Sequence, residues 1–309
     1  VINFLKSKNI PVVELRNNKY FEIDDNFKVR IQKVDFYDSA LIVDINNKKI
    51  INLNDCPFET ENELKKFSKI YGPADILLSQ FGYAAWKGGK DNLSWRKIAA
   101  KEKLINLEKQ AFYLNCSKLI PFASFIYFSN TENQYLNQDN NNPQIVEKFF
   151  KNKDLDTIFF QPLEVQDIEK LKQSSETLKF WNDKFLGIKR LEYHKYNKTF
   201  TINEIKEEYN KYLSIIYNNN TRLIIRFLNF FSFLNIFSDL KIFLIDLDKI
   251  IKLSIVDGIN VLDNKDEYDL KIHSESLIFI FKNQFGFDTL TVNANFEVGE
   301  KSFGKITKH

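Results

Sequence analysis

The sequence predicts a mixed α+β protein, because the pattern of its apolar residues changes character twice along the chain. Over residues 1–142, short alternating or apolar runs typical of strands are interspersed with amphipathic segments typical of helices. Residues 143–249 are mainly helical and highly charged, and residues 250–309 return to strand-like runs, as in a small β-rich module. The polar run Asn137–Asn142, followed by Pro143, marks the first boundary.

Local signals place the elements of the first part. Asn46-Asn47 has the composition of a tight turn between two strands. Thr60 and Glu63 have the spacing of a capping box, so a helix begins there and ends near Tyr71. A long helix is predicted over Ser94–Asn115. The strands predicted in this part are Pro11–Leu15, Lys28–Val34, Ser39–Ile45, Lys49–Leu53, Asp75–Gln80 and Leu119–Phe128.

The rest of the chain is predicted to be helical from Val146 to Tyr217 and rich in strands near its end. The most apolar stretch, Leu223 to Ile245, is interrupted by Arg226, Asp239 and Lys241, which a membrane-spanning helix tolerates poorly. We predict that this stretch forms a buried helix and strand, with membrane-surface contact as the less favoured alternative. The strands predicted in the last part are Lys252–Val256, Tyr268–Ile272, Leu277–Phe281 and Thr289–Val292.

The composition argues against several classes of protein. The chain has 309 residues, of which 28% are charged, and a net charge of +3. This balance is ordinary for a globular protein and does not indicate nucleic-acid binding. Cys56 and Cys116 do not form a CxxC pair, so we expect two unpaired thiols in a reducing compartment. Val1–Ile10 shows no signal-peptide pattern, and we expect a cytoplasmic protein.

Two residue types are scarce. The chain has no Met, which is improbable by chance and favours either a fragment or a sequence that has lost modified methionines. The three histidines are His194, His273 and His309. They cannot build a histidine-rich metal centre unless distant positions converge. A lone histidine such as His194 is more often a surface residue than a ligand.

Asp55 is the first candidate for a functional side chain. It ends the segment "NLND", directly after the predicted strand Lys49–Leu53. A carboxylate at the end of a strand is held rigidly and can face a cleft, where it suits a hard cation, zinc or iron. On spacing alone, an Asp in this position is also a common turn residue.

Two further segments place polar side chains after predicted strands. The segment "QFGYAAWKGG" begins at Gln80, and its amide, aromatic and glycine residues suit either a substrate-facing wall or a packed loop. Glu132 and Asn133 follow the strand that begins near Pro121. Glu132 has the chemistry of a metal ligand or a general base, and a solvated turn is the structural alternative.

The sequence lacks the motifs of several large enzyme classes. It contains no GxxxxGK followed by Ser or Thr, no GxGxxG and no GxSxG, and neither HExxH nor paired CxxC. Kinases, P-loop proteins, dinucleotide-dependent oxidoreductases and serine hydrolases are therefore not supported.

Four segments, taken together and in order, resemble the metallo-β-lactamase-fold part of CMP-N-acetylneuraminate hydroxylases and their bacterial relatives. The resemblance is dense from Asp38 to Asn137 and is renewed near Phe285. The segments are "DSALIVDINNKKIINLNDC", "ADILLSQFGYAAWKG", "PFASFIYFSNTENQYLN" and "FGFDTLTVNANFE".

The resemblance implies an αββα sandwich with a metal site at one edge. Asp55 falls where the fold places a metal-bridging aspartate, and Gln80, Glu132 and Asn133 fall on parts of the same cleft wall. The fold also expects a histidine ligand near Val34–Asp38, where this sequence offers Asp35 and Asp38. We therefore assign Asp55 and Asp38 to the metal, and Gln80, Glu132 and Asn133 to catalysis.

This chain departs from the family in two respects. It has no HxHxDH motif, whose natural place would be before Val1, so the first half of the fold is expected to lie outside the chain. It also has no Rieske iron–sulfur domain, and Rieske-dependent hydroxylation does not follow from this chain. Zinc or iron is accordingly expected only if a preceding segment supplies histidines.

The leading hypothesis is a metal-dependent enzyme that acts on a nucleotide-sugar-like or other small phosphorylated substrate by hydrolysis or oxygenation. The alternative is a non-catalytic binding or assembly protein that has lost the metal motif. The expected partner is a small-molecule substrate, with neither nucleic acid nor a membrane. A separate iron–sulfur or redox partner is left open, as is the oligomeric state.

Overall fold

The computed structural model describes residues 2–34, 38–56, 58, 60–230, 237–263, 268–298 and 303–306. The chain divides into two compact units, each assembled from several segments. The first consists of Val1–Tyr83, Ala100–Phe125 and Asn141–Arg190, and the second of Ala84–Ala99, Ile126–Asn140 and Leu191–His309. The domain boundaries predicted after residues 142 and 249 stay a prediction.

A seven-stranded sheet forms the centre of the first unit. Its strands lie in chain order, β1 to β7. The first four are antiparallel neighbours, whereas β4, β5, β6 and β7 are parallel to one another. The strands are β1 (Tyr20–Asp24), β2 (Phe27–Lys33), β3 (Ser39–Ile45), β4 (Lys48–Asn54), β5 (Ile76–Gln80), β6 (Lys118–Phe122) and β7 (Asp156–Thr157).

Helices bury one face of this sheet. Ile42, Ile51 and Leu77 are fully buried there, in a core shared with side chains of α2, α3 and α4. The opposite face carries a smaller cluster around Ile76 and Ile158. The helices that lie wholly or partly in this unit are α1 (Ile2–Ser7), α2 (Glu61–Tyr71), α3 (Leu93–Tyr113), α4 (Pro143–Phe150) and α5 (Ser175–Gly187).

Short-range signals account for two of these helices. At α2, Thr60 accepts a hydrogen bond from the backbone of Glu63, whose side chain bonds the backbone of Thr60 in return, which confirms the predicted capping box. At α4, the side chain of Asn142 caps the helix and Pro143 occupies its first turn. The polar asparagine run therefore ends in a helix start.

The β3–β4 hairpin fixes the register on which the candidate site depends. Asn46 and Asn47 have φ angles of 49° and 61°, the left-handed conformation that a two-residue type I′ turn requires. Ile45 pairs with Lys48, and the register continues to Leu41 opposite Asn52. The predicted turn and both predicted strands are confirmed.

The second unit contains a five-stranded sheet in the order β10-β9-β8-β11-β12. Only β8 and β11 are parallel, and the other neighbours are antiparallel. Its strands are β8 (Leu240–Leu244), β9 (Lys249–Ser254), β10 (Gly258–Leu262), β11 (Leu270–Ile272) and β12 (Phe296–Val298), and its remaining helices are α6 (Ile202–Asn219), α7 (Arg222–Phe230), α8 (Ser274–Lys282), α9 (Gly286–Asn293) and α10 (Phe303–Ile306). The chain is therefore a mixed α/β protein with two sheets, and the αββα arrangement stays a prediction.

Two predicted strands of the last part are helices. Leu277–Phe281 lies in α8, where Leu277, Ile278 and Phe281 are buried at helical spacing. Thr289–Val292 lies in α9, which ends at Ala294 in the left-handed conformation. Short apolar runs have no periodicity that separates a strand from a buried helix, which explains both errors.

Two strand predictions near the start and middle of the chain also need correction. Pro11–Leu15 forms no strand: Pro11 has no N–H to donate, and Val13 is 61% exposed. The strand predicted over Leu119–Phe128 ends at Phe122, because Ala123 adopts a left-handed conformation with φ of 56°.

The apolar stretch Leu223 to Ile245 behaves differently in its two halves. Its second half contains β8, whose alternate residues are buried, as predicted. In its first half the expectation of a buried helix is wrong, since Leu223, Ile224 and Phe227 of α7 are all exposed. Across the residues that the structure describes, no helix has both the length and the apolar character that crossing a bilayer demands.

We predict that Ile51→Ala destabilises the protein by about 2–5 kcal/mol, because it empties space in the core beneath the sheet. The matched control is Ile70→Ala, since Ile70 is 62% exposed; it should change stability by no more than about 0.5 kcal/mol. Urea unfolding followed by circular dichroism measures both. Equal effects of the two substitutions would contradict the assigned core.

Candidate functional site

The carboxyl ends of β4 and β5 meet the start of β3 at one edge of the first sheet. Asp55 follows β4 directly and is exposed, and Asp38 precedes β3 and is partly buried. The side-chain amide of Asn54 donates a hydrogen bond of 2.5 Å to Asp55 Oδ1. Asn54 has a φ of 48°, and its backbone N–H bonds the side chain of Asn52. This turn fixes the direction in which Asp55 leaves the strand.

The negative charge of Asp55 acts on the carboxyl group of Asp38. Burial raises the pKa of the Asp38 carboxyl above its usual range, and the negative charge of Asp55 raises it further. The charges of Asp38 and Asp55 also act on the Cys56 thiol. Its pKa is raised to about 12 by burial first and then by the charges of Asp38 and Asp55, so the sulfur stays protonated.

Gln80, at the end of β5, is the third predicted residue at this edge. Its side-chain amide lies 3.3 Å from the backbone carbonyl oxygen of Asp55 and donates to it. The loop that follows is held by buried polar groups. Ser124 Oγ accepts hydrogen bonds from the backbone N–H groups of both Phe81 and Gly82, at 3.0 and 2.9 Å.

Asn141 supports the same loop from the protein interior. Its side-chain amide donates to the carbonyl oxygens of Phe81 and Ala100, each at 2.7 Å. Asn141 is 2% exposed and Ser124 is 1% exposed, so these bonds are shielded from water. Because buried polar groups are costly to leave without partners, the backbone after Gln80 has little freedom to move.

The residues at this edge do not make a complete zinc or iron centre. Within the described part of the chain, no group of three or more His, Cys, Asp or Glu side chains could hold a metal ion. Asp35, the other candidate at the start of β3, and His309 lie outside the described residues. Two carboxylates beside a protonated thiol suit a hard cation better than zinc or iron, which favour nitrogen or sulfur ligands.

Glu132 and Asn133 belong to the second unit. The side-chain oxygen of Asn130 accepts the backbone N–H of Glu132, and that of Asn133 accepts the backbone N–H of Asn130. The side-chain amide of Asn133 donates to the carbonyl of Asn293 at 2.6 Å. These contacts hold a turn together, and the catalytic assignment of both residues stays a prediction.

Glu132 takes part in a cluster of titratable groups that was not predicted from the sequence. His273 precedes α8, and its ring stacks on Tyr196 with centroids 3.7 Å apart. Its Nε2 lies 3.6 Å from a carboxylate oxygen of Asp246, which also accepts hydrogen bonds from Ser274. Asp246 and His273 follow β8 and β11, the parallel pair of the second sheet. The sequence signal that could have revealed this cluster is His273 itself, a histidine directly after the predicted strand Tyr268–Ile272.

The hydrogen bonds of His273 define its protonation state. Its Nδ1 accepts the backbone N–H of Glu275 at 3.2 Å, so this nitrogen carries no proton, and Nε2 bears the hydrogen on the side of Asp246. Burial lowers the pKa of His273 below its usual value, while the charges of Asp246, Glu275 and Glu132 oppose that shift. A proton on Nδ1 would break the cap and place positive charge at a helix N-terminus.

Comparison with known proteins gave no sequence match. No protein-family model matches the chain. No curated protein matches it either.

Similarity to solved structures is distant. CmlA, a diiron β-hydroxylase from Streptomyces venezuelae, aligns over 39% of this chain and 27% of its own, with 10% identity and a TM-score of 0.30. A mutant of the same enzyme aligns over 52% of this chain and 34% of its own, with 9% identity and a TM-score of 0.36. The chain thus spans about a third of CmlA or less.

A putative zinc-dependent hydrolase of the metallo-β-lactamase superfamily from Thermotoga maritima is also similar. The alignment covers 53% of this chain and 70% of that protein, with 16% identity and a TM-score of 0.29. The solved structures that resemble the chain therefore include a diiron hydroxylase and a zinc-dependent hydrolase. A metallo-β-lactamase-like fold and a relation to CMP-N-acetylneuraminate hydroxylases stay proposals.

The protonation state of His273 predicts a pH-dependent stability. Because its pKa is lowered in the folded protein, the unfolded chain binds the proton first as the pH falls below about 6.5. This contribution to stability is complete at pH 8 and is lost as the pH falls toward the folded-state pKa. His273→Asn keeps a capping side chain without the titration. Urea unfolding between pH 8 and 5.5 should show a smaller loss for this variant, and equal slopes would contradict the assignment.

Proposed function

We propose that the chain is a metal-dependent enzyme with a metallo-β-lactamase-like fold, and that Asp38 and Asp55 supply oxygen ligands to its metal. The resemblance of "INLNDC" and its flanking segments to CMP-N-acetylneuraminate hydroxylases supports this proposal. Imidazole ligands would have to join the two carboxylates for zinc or iron to bind tightly.

The observation that carries the proposal is the pairing of two like charges at the end of a rigid strand. The pKa of Asp38 is raised first by burial and then by the negative charge of Asp55, which disfavours ionisation of Asp38. A cation between them would remove this repulsion, so an arrangement that is unfavourable by itself becomes favourable on binding.

Gln80 is proposed to orient substrate or solvent next to this pair. Its amide reaches the backbone of Asp55, and the loop behind it is pinned by Ser124 and Asn141. An amide in a rigid position can donate one hydrogen bond to a ligand while keeping another with the protein. Glu132 and Asn133 are kept as proposed catalytic residues on the strength of the sequence resemblance.

The proposed substrate is a nucleotide-sugar-like or other small phosphorylated molecule, and the reaction is hydrolysis or oxygenation. Both rest on the sequence resemblance, and a fold by itself does not choose between the two reactions. The second candidate function is a non-catalytic binding or assembly protein. The hydrogen bonds of Asn133 favour it, because both polar atoms of that side chain bind backbone groups.

Equilibrium dialysis against Mn²⁺ and Zn²⁺ tests the proposal. We expect weak, exchangeable binding that does not survive treatment with a chelator, because two carboxylates alone hold such ions loosely. Asp55→Asn should weaken it by about tenfold or more, as expected for the loss of a ligand. The matched control is Asp183→Asn, which removes an exposed carboxylate from α5.

Three outcomes of this experiment are informative. Retention of stoichiometric Zn²⁺ after chelation and dialysis would show that the ligands are misplaced. Absence of binding would favour the non-catalytic candidate. Equal losses of metal affinity in Asp55→Asn and Asp183→Asn would show that the binding is a nonspecific effect of charge.

The charge coupling between the two carboxylates has an independent test that needs no activity. In Asp55→Asn, the pKa of Asp38 should fall toward its usual value, although burial keeps it somewhat raised. Carbon-detected NMR of the side-chain carboxyl groups during a pH titration measures this directly. An unchanged Asp38 titration would show that the two groups do not interact.

A further inference from the structure

Helix α7 presents an apolar stripe to solvent. Leu223 is 75% exposed, Phe227 is 62% exposed and Ile224 is 56% exposed. On the opposite side of the same helix, Ile225 is buried. The exposed stripe and the buried Ile225 therefore make α7 an amphipathic helix.

Two arginines flank this stripe along the helix. Arg222 and Arg226 are one helical turn apart, so they lie on the same side of α7, next to Leu223 and Phe227. Both are exposed. The guanidinium of Arg222 lies over the ring of Tyr217 in α6, 5.1 Å from its centroid.

The sequence around α7 contains no negative charge. No Asp or Glu occurs from Tyr209 to Ser238, a stretch that includes the end of α6 and all of α7. The chain as a whole is 28% charged with nearly balanced signs, so this segment is a local exception. Within this stretch of the sequence, all formal charges are positive.

We propose that the apolar stripe of α7, formed by Leu223, Ile224 and Phe227 and flanked by Arg222 and Arg226, docks on an anionic lipid surface. A helix lying in the interface places its apolar side among the upper acyl chains and its flanking cations at the headgroups. This inference is independent of the carboxylate site and reverses the expectation that the protein does not contact a membrane.

The charge pattern favours an anionic bilayer over a protein partner. A protein interface of this apolar character usually has charges of both signs at its rim, which fix orientation. A lipid surface needs only positive charge, and each arginine near an anionic bilayer contributes about 1 kcal/mol, or about fivefold in affinity. The short helix and two cations together fit reversible attachment.

Flotation of the whole protein with lipid vesicles tests this proposal. We expect it to float with phosphatidylcholine vesicles that contain phosphatidylglycerol, to float poorly with phosphatidylcholine alone, and to lose binding as salt screens the charges. The double variant Arg222→Gln with Arg226→Gln should bind about 25-fold more weakly. Leu223→Ser with Phe227→Ser should abolish flotation while keeping the charge.

Matched controls distinguish binding through this surface from nonspecific adsorption of the protein to vesicles. Lys66→Gln with Lys69→Gln removes equal charge from exposed positions of α2, and Phe112→Ser removes an apolar side chain that is 75% exposed on α3. Both should float like the unaltered protein. Circular dichroism should show the same melting temperature for all variants, because the substituted side chains are exposed.

Two results would overturn the proposal. The first is flotation that is absent in the unaltered protein or unchanged in both α7 double variants. The second is a dimer in light scattering that Leu223→Ser with Phe227→Ser dissociates, combined with no vesicle binding. That result would assign the stripe to an interface between two copies of the chain.

Discussion

The register of the β3–β4 hairpin is the constraint on which the candidate site depends. The two asparagines of its turn adopt left-handed conformations, which sets the pairing of every residue that follows. The pairing runs as far as Leu41 opposite Asn52, and Asp38 and Asp55 follow this last pair on the two strands. A slip by one residue would turn Ile51 out of the core, so the buried face of the sheet enforces this register.

A second layer of buried hydrogen bonds extends this edge to β5. Ser124 and Asn141 hold the backbone that follows Gln80, and the amide of Gln80 in turn contacts the backbone of Asp55. The site is thus exposed where a ligand could approach and rigid where it joins the core. In the second unit, the ring of His273 is also held by the protein on two sides. Its Nδ1 caps the start of α8, and its Nε2 lies next to the buried carboxylate of Asp246.

The sequence predicted those parts of the fold that short-range chemistry controls. The Asn46-Asn47 turn, its two strands and the capping box at Thr60 all depend on residues a few positions apart, and the structure has each of them. Helix α8 was missed because its apolar run is too short to show a period. The contact between His273 and Asp246 could not be predicted, since it arises from the parallel pairing of β8 with β11 across a long connection.

Paramagnetic line broadening by Mn²⁺ tests most directly the claim that the paired carboxylates form a cation site. In NMR spectra of the isotopically labelled protein, small additions of Mn²⁺ should first broaden the amide signals of Asp38 and of Asn54 to Cys56. Asp55→Asn should remove this effect. Broadening that begins instead at the acidic residues around Asp24 and Asp25, or that is uniform along the chain, would contradict the account.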